Sequence, residues 1–162
     1  MAEKDMLEGK RILLVDDEPD VLDTLEDLLP MCETVKASNF NAAKDYLESE
    51  HFDLAVLDIM GVEGYQLLEI ARQREVTSVM LTAHALSPEN VVKSYNEGAA
   101  SYLPKEEMVN IASFLNDVLE AKELGNNPWS RWYDRMGAFF EKKFGPKWQD
   151  DENDFWEKFP FY

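Results

Sequence analysis

Cysteine is almost missing from this chain: Cys32 stands alone among 162 residues. One thiol cannot close an internal disulfide, so nothing points to an oxidising compartment. Histidine is nearly as scarce. His51 and His84 have no cysteine or histidine cluster around them, which argues against a structural zinc site. No apolar run approaches the roughly 20 residues that span a bilayer. Residues 1–10 are polar and charged, without the apolar centre of a signal peptide. Positive charge is in deficit as well, with 16 Lys and Arg against 33 Asp and Glu and a net charge of −17. A chain this acidic is repelled as a whole by nucleic-acid backbones and anionic membranes. A soluble, cytoplasmic protein with neither DNA nor membrane as partner is the default expectation.

Apolar residues are plentiful, at 45% of the chain, and they fall in a repeating order. The short run Arg11-Ile-Leu-Leu-Val15 reads as a buried parallel strand and ends at Asp16-Asp17. From Pro19 to Leu29 apolar residues recur at helical spacing, with proline in the first turn where it is tolerated. Residues 34–37 form a weaker strand, and Ser38 or Asn39 can cap the helix after it. A strand over residues 52–57 ends at Asp58, and a glycine-containing loop leads to the next helix. Residues 78–81 end at Thr82, and Ser87-Pro88 opens a helix that stops at Gly98. Residues 100–103 end near Lys105, followed by a helix from about Glu106 to Glu123. Such βα alternation predicts an α/β fold, a parallel sheet with helices on both faces. Ligands of such sheets bind beyond the carboxyl ends of the strands.

Those ends would collect Asp16, Asp17, Asp58, Thr82 and Lys105 on one margin of the sheet. Clustered carboxylates repel one another and need a cation. Hard oxygen donors without histidine suit Mg²⁺. A lysine adds one positive charge and a threonine one hydroxyl donor. Together they would suit a phosphate-like group. A plainer reading remains for Asp16 and Asp17, which could simply cap the first helix.

With Leu14-Val-Asp-Asp-Glu18, Leu57-Asp-Ile-Met60, Met80-Leu-Thr-Ala83 and Ser101-Tyr-Leu-Pro-Lys105 in order, residues 10–124 resemble a response-regulator receiver domain. Each motif alone is weak; the ordered set at successive strand ends is specific. The resemblance implies a doubly wound, flavodoxin-like sheet of five strands in the order 2-1-3-4-5, and a bacterial two-component phosphorelay. It implies that Asp58 accepts a phosphoryl group from a phosphohistidine on a histidine kinase or phosphotransfer protein. Asp16, Asp17, Asp58 and the backbone carbonyl of Met60 would hold Mg²⁺. Lys105 would pair with a phosphate oxygen, Thr82 would move to the phosphoryl group, and Tyr102 would swing inward behind it. The output would be through protein contacts, on a face around residues 87–119.

Two departures matter. Pro104 precedes Lys105 and Glu106 follows it, where many receivers place proline directly after the lysine. A cis bond without proline costs about 2.5–4 kcal/mol, so Lys105–Glu106 is expected to be trans. The loop after Asp58 reads Ile-Met-Gly-Val-Glu-Gly, and Gly61 suggests a tight turn. Met60 and His84 lie two residues past Asp58 and Thr82, positions that flank the path of the hydrolytic water in the family. A bulky Met60 predicts slow self-dephosphorylation, while a histidine such as His84 is more often a plain surface residue than a catalytic one.

Gly125-Asn-Asn-Pro128 breaks the pattern, dividing a receiver domain (1–124) from an extension (125–162) that holds all four tryptophans. Trp129, Trp132, Tyr133, Met136, Phe139, Phe140 and Phe144 predict an amphipathic helix of about 17 residues, and a second aromatic cluster follows. The extension could cover its own receiver, join two copies as a homodimer, dock an unknown downstream protein or lie on a membrane. It shows no helix-turn-helix pattern, so no DNA binding is expected. The chain is read as a phosphoacceptor rather than an enzyme. A metal-dependent aspartyl-phosphate phosphohydrolase and a degenerate receiver acting as a scaffold are the alternatives. Met60 stands where the former needs a second aspartate.

Overall fold

The computed structural model describes residues 6–83 and 88–144, with Pro88 and 137–144 by backbone alone. Five short strands, β1 (Arg11–Val15), β2 (Glu33–Ala37), β3 (Leu54–Asp58), β4 (Thr77–Thr82) and β5 (Ser101–Pro104), form one parallel sheet in the order β2-β1-β3-β4-β5. This is the expected doubly wound order. The central strands are apolar and buried from Ile12 to Val15 and from Leu54 to Leu57, as strands covered on both faces must be. The helices are α1 (Pro19–Leu28), α2 (Phe40–Ser49), α3 (Gly64–Gln73), α4 (Pro88–Asn96), α5 (Ile111–Leu124) and α6 (Pro128–Phe144).

Local signals act as the residue types dictate. Pro19 opens α1, and Asn39 caps α2 by accepting from the Ala42 N–H at 2.8 Å. Neither Asp16 nor Asp17 caps α1, whose N-cap is Glu18 without a side-chain bond. The helix expected from Glu106 instead opens with a 3-10 turn over Lys105–Asn110. No residue of that turn is buried, so nothing anchors an α-helical stripe until Ile111. No peptide bond among the described residues is cis, Lys105–Glu106 included.

Gly64 is where the site end of β3 depends on a missing side chain. A Cβ there would lie 2.9 Å from the Asp58 carbonyl carbon and 2.9 Å from the Ile59 Cα, and closer still to the Asp58 oxygen. Backbone cannot yield as a side-chain tip can. Gly64→Ala is expected to cost about 1–3 kcal/mol, read as a lower urea midpoint with an unchanged slope.

Beyond Gly125, which ends α5 in the left-handed conformation at φ 74°, the chain turns back on the sheet. Trp129, Trp132 and Met136 of α6, spaced three and four apart, are buried. The Trp129 indole N–H donates to the Ala99 carbonyl at 2.7 Å, and that of Trp132 to the Tyr102 carbonyl at 2.6 Å. Trp129 also meets Tyr95 of α4 edge to face, with centroids 5.7 Å apart. On the α5 side, Arg131 pairs with Glu120 at 2.8 Å and Arg135 with Asp117. The second aromatic cluster lies outside the described residues.

Candidate functional site

Register builds the site. Val15 pairs with Leu57, so Asp16 emerges beside Asp58, where the chain order reverses between β1 and β3. Asp58 pairs with Leu81, one residue before Thr82, and Thr82 pairs with Pro104, one residue before Lys105. The strand ends thus bring Asp16, Asp58, Thr82 and Lys105 to one margin, and Asp17 follows at the start of the β1–α1 loop.

Asp16, Asp58 and Thr82 are buried, while Asp17 and Glu18 are exposed. The Lys105 ammonium sits 2.8 Å from Asp16 Oδ2, 3.2 Å from Glu18 Oε1 and 3.7 Å from Asp58 Oδ1. Asp16 Oδ1 accepts from the Glu18 N–H at 2.9 Å. Asp58 Oδ2 accepts from the Gly61 N–H at 3.2 Å. Gly61 matters for a second reason: a Cβ on it would collide with the Asp17 carboxylate, so its bare backbone leaves that carboxylate room against the β3–α3 loop.

Electrostatics follow from burial. Desolvation pushes the Asp16 carboxyl above the ordinary range, and hydrogen bonds from Lys105 and the Glu18 N–H oppose it. Desolvation also raises Asp58, reinforced by the negative charge of Asp16 and opposed by Lys105. Burial works against the Lys105 charge too, but Asp16, Asp58 and Glu18 outweigh it and its pKa is raised. The site holds more buried negative charge than one lysine neutralises.

That surplus, and the donor chemistry, fit a hard divalent cation. Oxygens of Asp16, Asp17 and Glu18 lie within 4.8 Å of one another, with no nitrogen or sulfur donor among them. Glu18 was not singled out from the sequence, although its place as the third acid after β1 was a usable signal. Met60 is 68% exposed and flanks the Asp58 loop. Tyr102 is fully buried. His84 lies outside the described residues. Among the described residues, no helix is long and apolar enough to cross a membrane.

Comparison with known proteins gives a consistent result. The profile of the response regulator receiver domain matches residues 12–115, more than half of the chain. The two-component response regulator ARR12 of Arabidopsis thaliana is 35% identical over 131 residues, spanning 74% of this chain and 22% of its own length. The response regulator Rre1 of Synechocystis is 35% identical over 109 residues, 62% of this chain and 47% of that protein. A crystal structure of a CheY-like receiver domain protein from Methanospirillum hungatei superposes with a TM-score of 0.65 at 32% identity, covering 73% of this chain and 99% of that one. The chain spans only 16–22% of the length of the first plant relatives. Plants and bacteria both supply relatives, so a bacterial source gains no support from them. The transcriptional activator PfeR of Pseudomonas aeruginosa is another relative, at 31% identity over 99 residues. The expectation of an output away from DNA is therefore unsupported by the relatives. With its sheet order, its acidic strand ends and this match together, the chain belongs to the response regulator receiver domains of two-component signalling.

Proposed function

We propose that Asp58 is the phosphoacceptor of a phosphorelay, taking its phosphoryl group from a phosphohistidine of a histidine kinase or phosphotransfer protein. The carrying observation is the buried Asp58 carboxylate with Lys105 3.7 Å away and Asp16 beside it. A carboxylate is ionised without a base and attacks directly. Its oxygen forms the new O–P bond as the N–P bond breaks, and the electron pair leaves on the imidazole nitrogen. Positioning and charge neutralisation supply most of the catalysis in such a transfer. Asp16, Asp17, Asp58 and the Met60 carbonyl would hold Mg²⁺, which would neutralise charge on the phosphoryl oxygens when bound. The Gly61 N–H fixes the Asp58 carboxylate. Lys105 needs only a short excursion from Asp16 to reach a phosphoryl oxygen, and Thr82 supplies the hydroxyl at the neighbouring strand end. On this reading residues 1–124 are the receiver and 125–162 an appended element, and the chain is a switch rather than a turnover enzyme.

The test is intact-mass analysis after incubation with acetyl phosphate and Mg²⁺. One added phosphoryl group is expected, and none in Asp58→Ala or without Mg²⁺. Rapid multiple turnover of the donor would favour the phosphohydrolase, and no adduct a scaffold. Met60 beside the acceptor supports a long-lived adduct, because an apolar side chain cannot orient the attacking water. A half-life of seconds or less would reject that point.

A further inference from the structure

We propose that Glu18 is a positioning residue: it holds the Lys105 ammonium off Asp58 in the unphosphorylated protein and so sets how readily a phosphoryl group is bound there. The inference rests on the acceptor reading of Asp58 and adds to it a residue outside the expected ligand set.

Three observations carry it. First, Glu18 is the N-cap of α1, yet its side chain makes no capping bond. It reaches instead to a lysine 87 residues away in the chain, and its Oε1 accepts from Lys105 Nζ at 3.2 Å. Second, Glu18 is pinned at its backbone. Its N–H donates to Asp16 Oδ1 at 2.9 Å, and the other oxygen of the same carboxylate lies 2.8 Å from the Lys105 ammonium. Asp16, Glu18 and Lys105 thus close a ring in which the ammonium has two acids as partners. Third, Asp58 is the acid left out of that ring. Its Oδ1 stands 3.7 Å from Lys105 Nζ, beyond hydrogen-bond length.

The two partners of the ammonium are unequal. The Asp16 side chain has no exposed surface, whereas that of Glu18 is 60% exposed. A phosphoryl group on Asp58 presents strong acceptor oxygens, and the ammonium must turn out of the ring to meet them. The exposed Glu18 bond is the one given up. An ion pair at such a rim is weak, so giving it up lowers phosphoryl binding by only about two- to fivefold. That factor is a resistance built into the resting site, and it is removed when Glu18 can no longer reach Lys105.

Negative charge near the acceptor would also oppose a phosphoryl group, and chain length separates the two effects. Glu18→Gln removes the charge. Glu18→Asp keeps it but shortens the side chain by about 1.5 Å, which takes it out of reach of Lys105, and aspartate is a favoured N-cap that keeps α1 intact. The test is titration of the full chain and both variants with beryllofluoride, the phosphoryl mimic, in saturating Mg²⁺, followed by fluorine NMR. Both variants should bind it about two- to fivefold more tightly than the parent. Tightening in Glu18→Gln alone would assign the effect to net charge and overturn the positioning role. Unchanged or weaker binding in both would overturn it too, and leave the acceptor standing. Calorimetry with Mg²⁺ alone should show the ion still bound by both variants, because Glu18 holds the lysine and not the metal. Loss of Mg²⁺ binding in Glu18→Gln would make Glu18 a metal ligand and sink the proposal. A parent that binds no beryllofluoride would remove the acceptor reading, and this inference with it.

Discussion

Lys105→Ala is expected to lower stability by about 3 kcal/mol in metal-free buffer. Lys105 is the only ammonium within 4 Å of Asp16 and Asp58 among the described residues. Asp16 has no exposed surface, and its Oδ2 faces the Lys105 nitrogen. Removing one partner of a buried pair leaves the other charge uncompensated, and that costs about 3–5 kcal/mol in general. The exposed rim at Asp17 and Glu18 lets water approach, which places the loss at the lower end. For a chain of this size the melting midpoint should fall by about 6–12 °C. Added Mg²⁺ should restore part of it, because a cation held by the same carboxylates screens the same repulsion. A loss below about 0.5 kcal/mol would show that Lys105 does not hold the acidic cluster together.

The second large effect has the opposite sign. Asp58→Asn should stabilise the metal-free protein at neutral pH by roughly 1–3 kcal/mol, the order of cost of a second buried carboxylate beside the first. Asp16 and Asp58 both titrate above the ordinary carboxylate range in the folded state, chiefly through desolvation. A folded pKa above the unfolded value means that the folded state binds the proton more tightly. The stability from that proton is fully present below the unfolded pKa, near 3.9 for an aspartate, and is lost as pH rises through the folded value. The advantage of Asp58→Asn should therefore be greatest at neutral pH and shrink on acidification through the raised folded values. Chemical denaturation of both proteins at several pH values, without metal, measures it. An Asp58→Asn protein less stable than the parent at pH 7.5 would mean that Lys105 more than compensates both acids.

How much of this could be read from residues alone depended on what each residue type needs. Asp16, Asp58, Thr82 and Lys105 were legible because each closes an apolar run, and the parallel fold fixes where such ends go. Glu18 was less legible: an acid before a helix is ordinary, and only the structure sets it 3.2 Å from Lys105. The 3-10 turn after β5 was hidden because Met108 continues a helical spacing that no buried neighbour enforces. Amphipathicity predicted α6 and its length, and the residues observed agree. Its placement could not be read, because the carbonyls it satisfies belong to Ala99, just before β5, and Tyr102, within it, and that β5 is an edge strand is known only from the sheet order.

The two margins of the sheet differ in how they resist unwanted association. Along β2, Glu33 and Lys36 face solvent, and Lys36 is paired with Asp23 and Glu26. Charge of this kind deters another strand from adding on. β5 has no charged residue over Ser101–Pro104 and is guarded instead by the indoles of α6. A chain shortened before Pro128 would expose an uncharged, apolar strand margin, a template for intermolecular pairing. Protection of the β5 margin against such pairing is thus entrusted to α6.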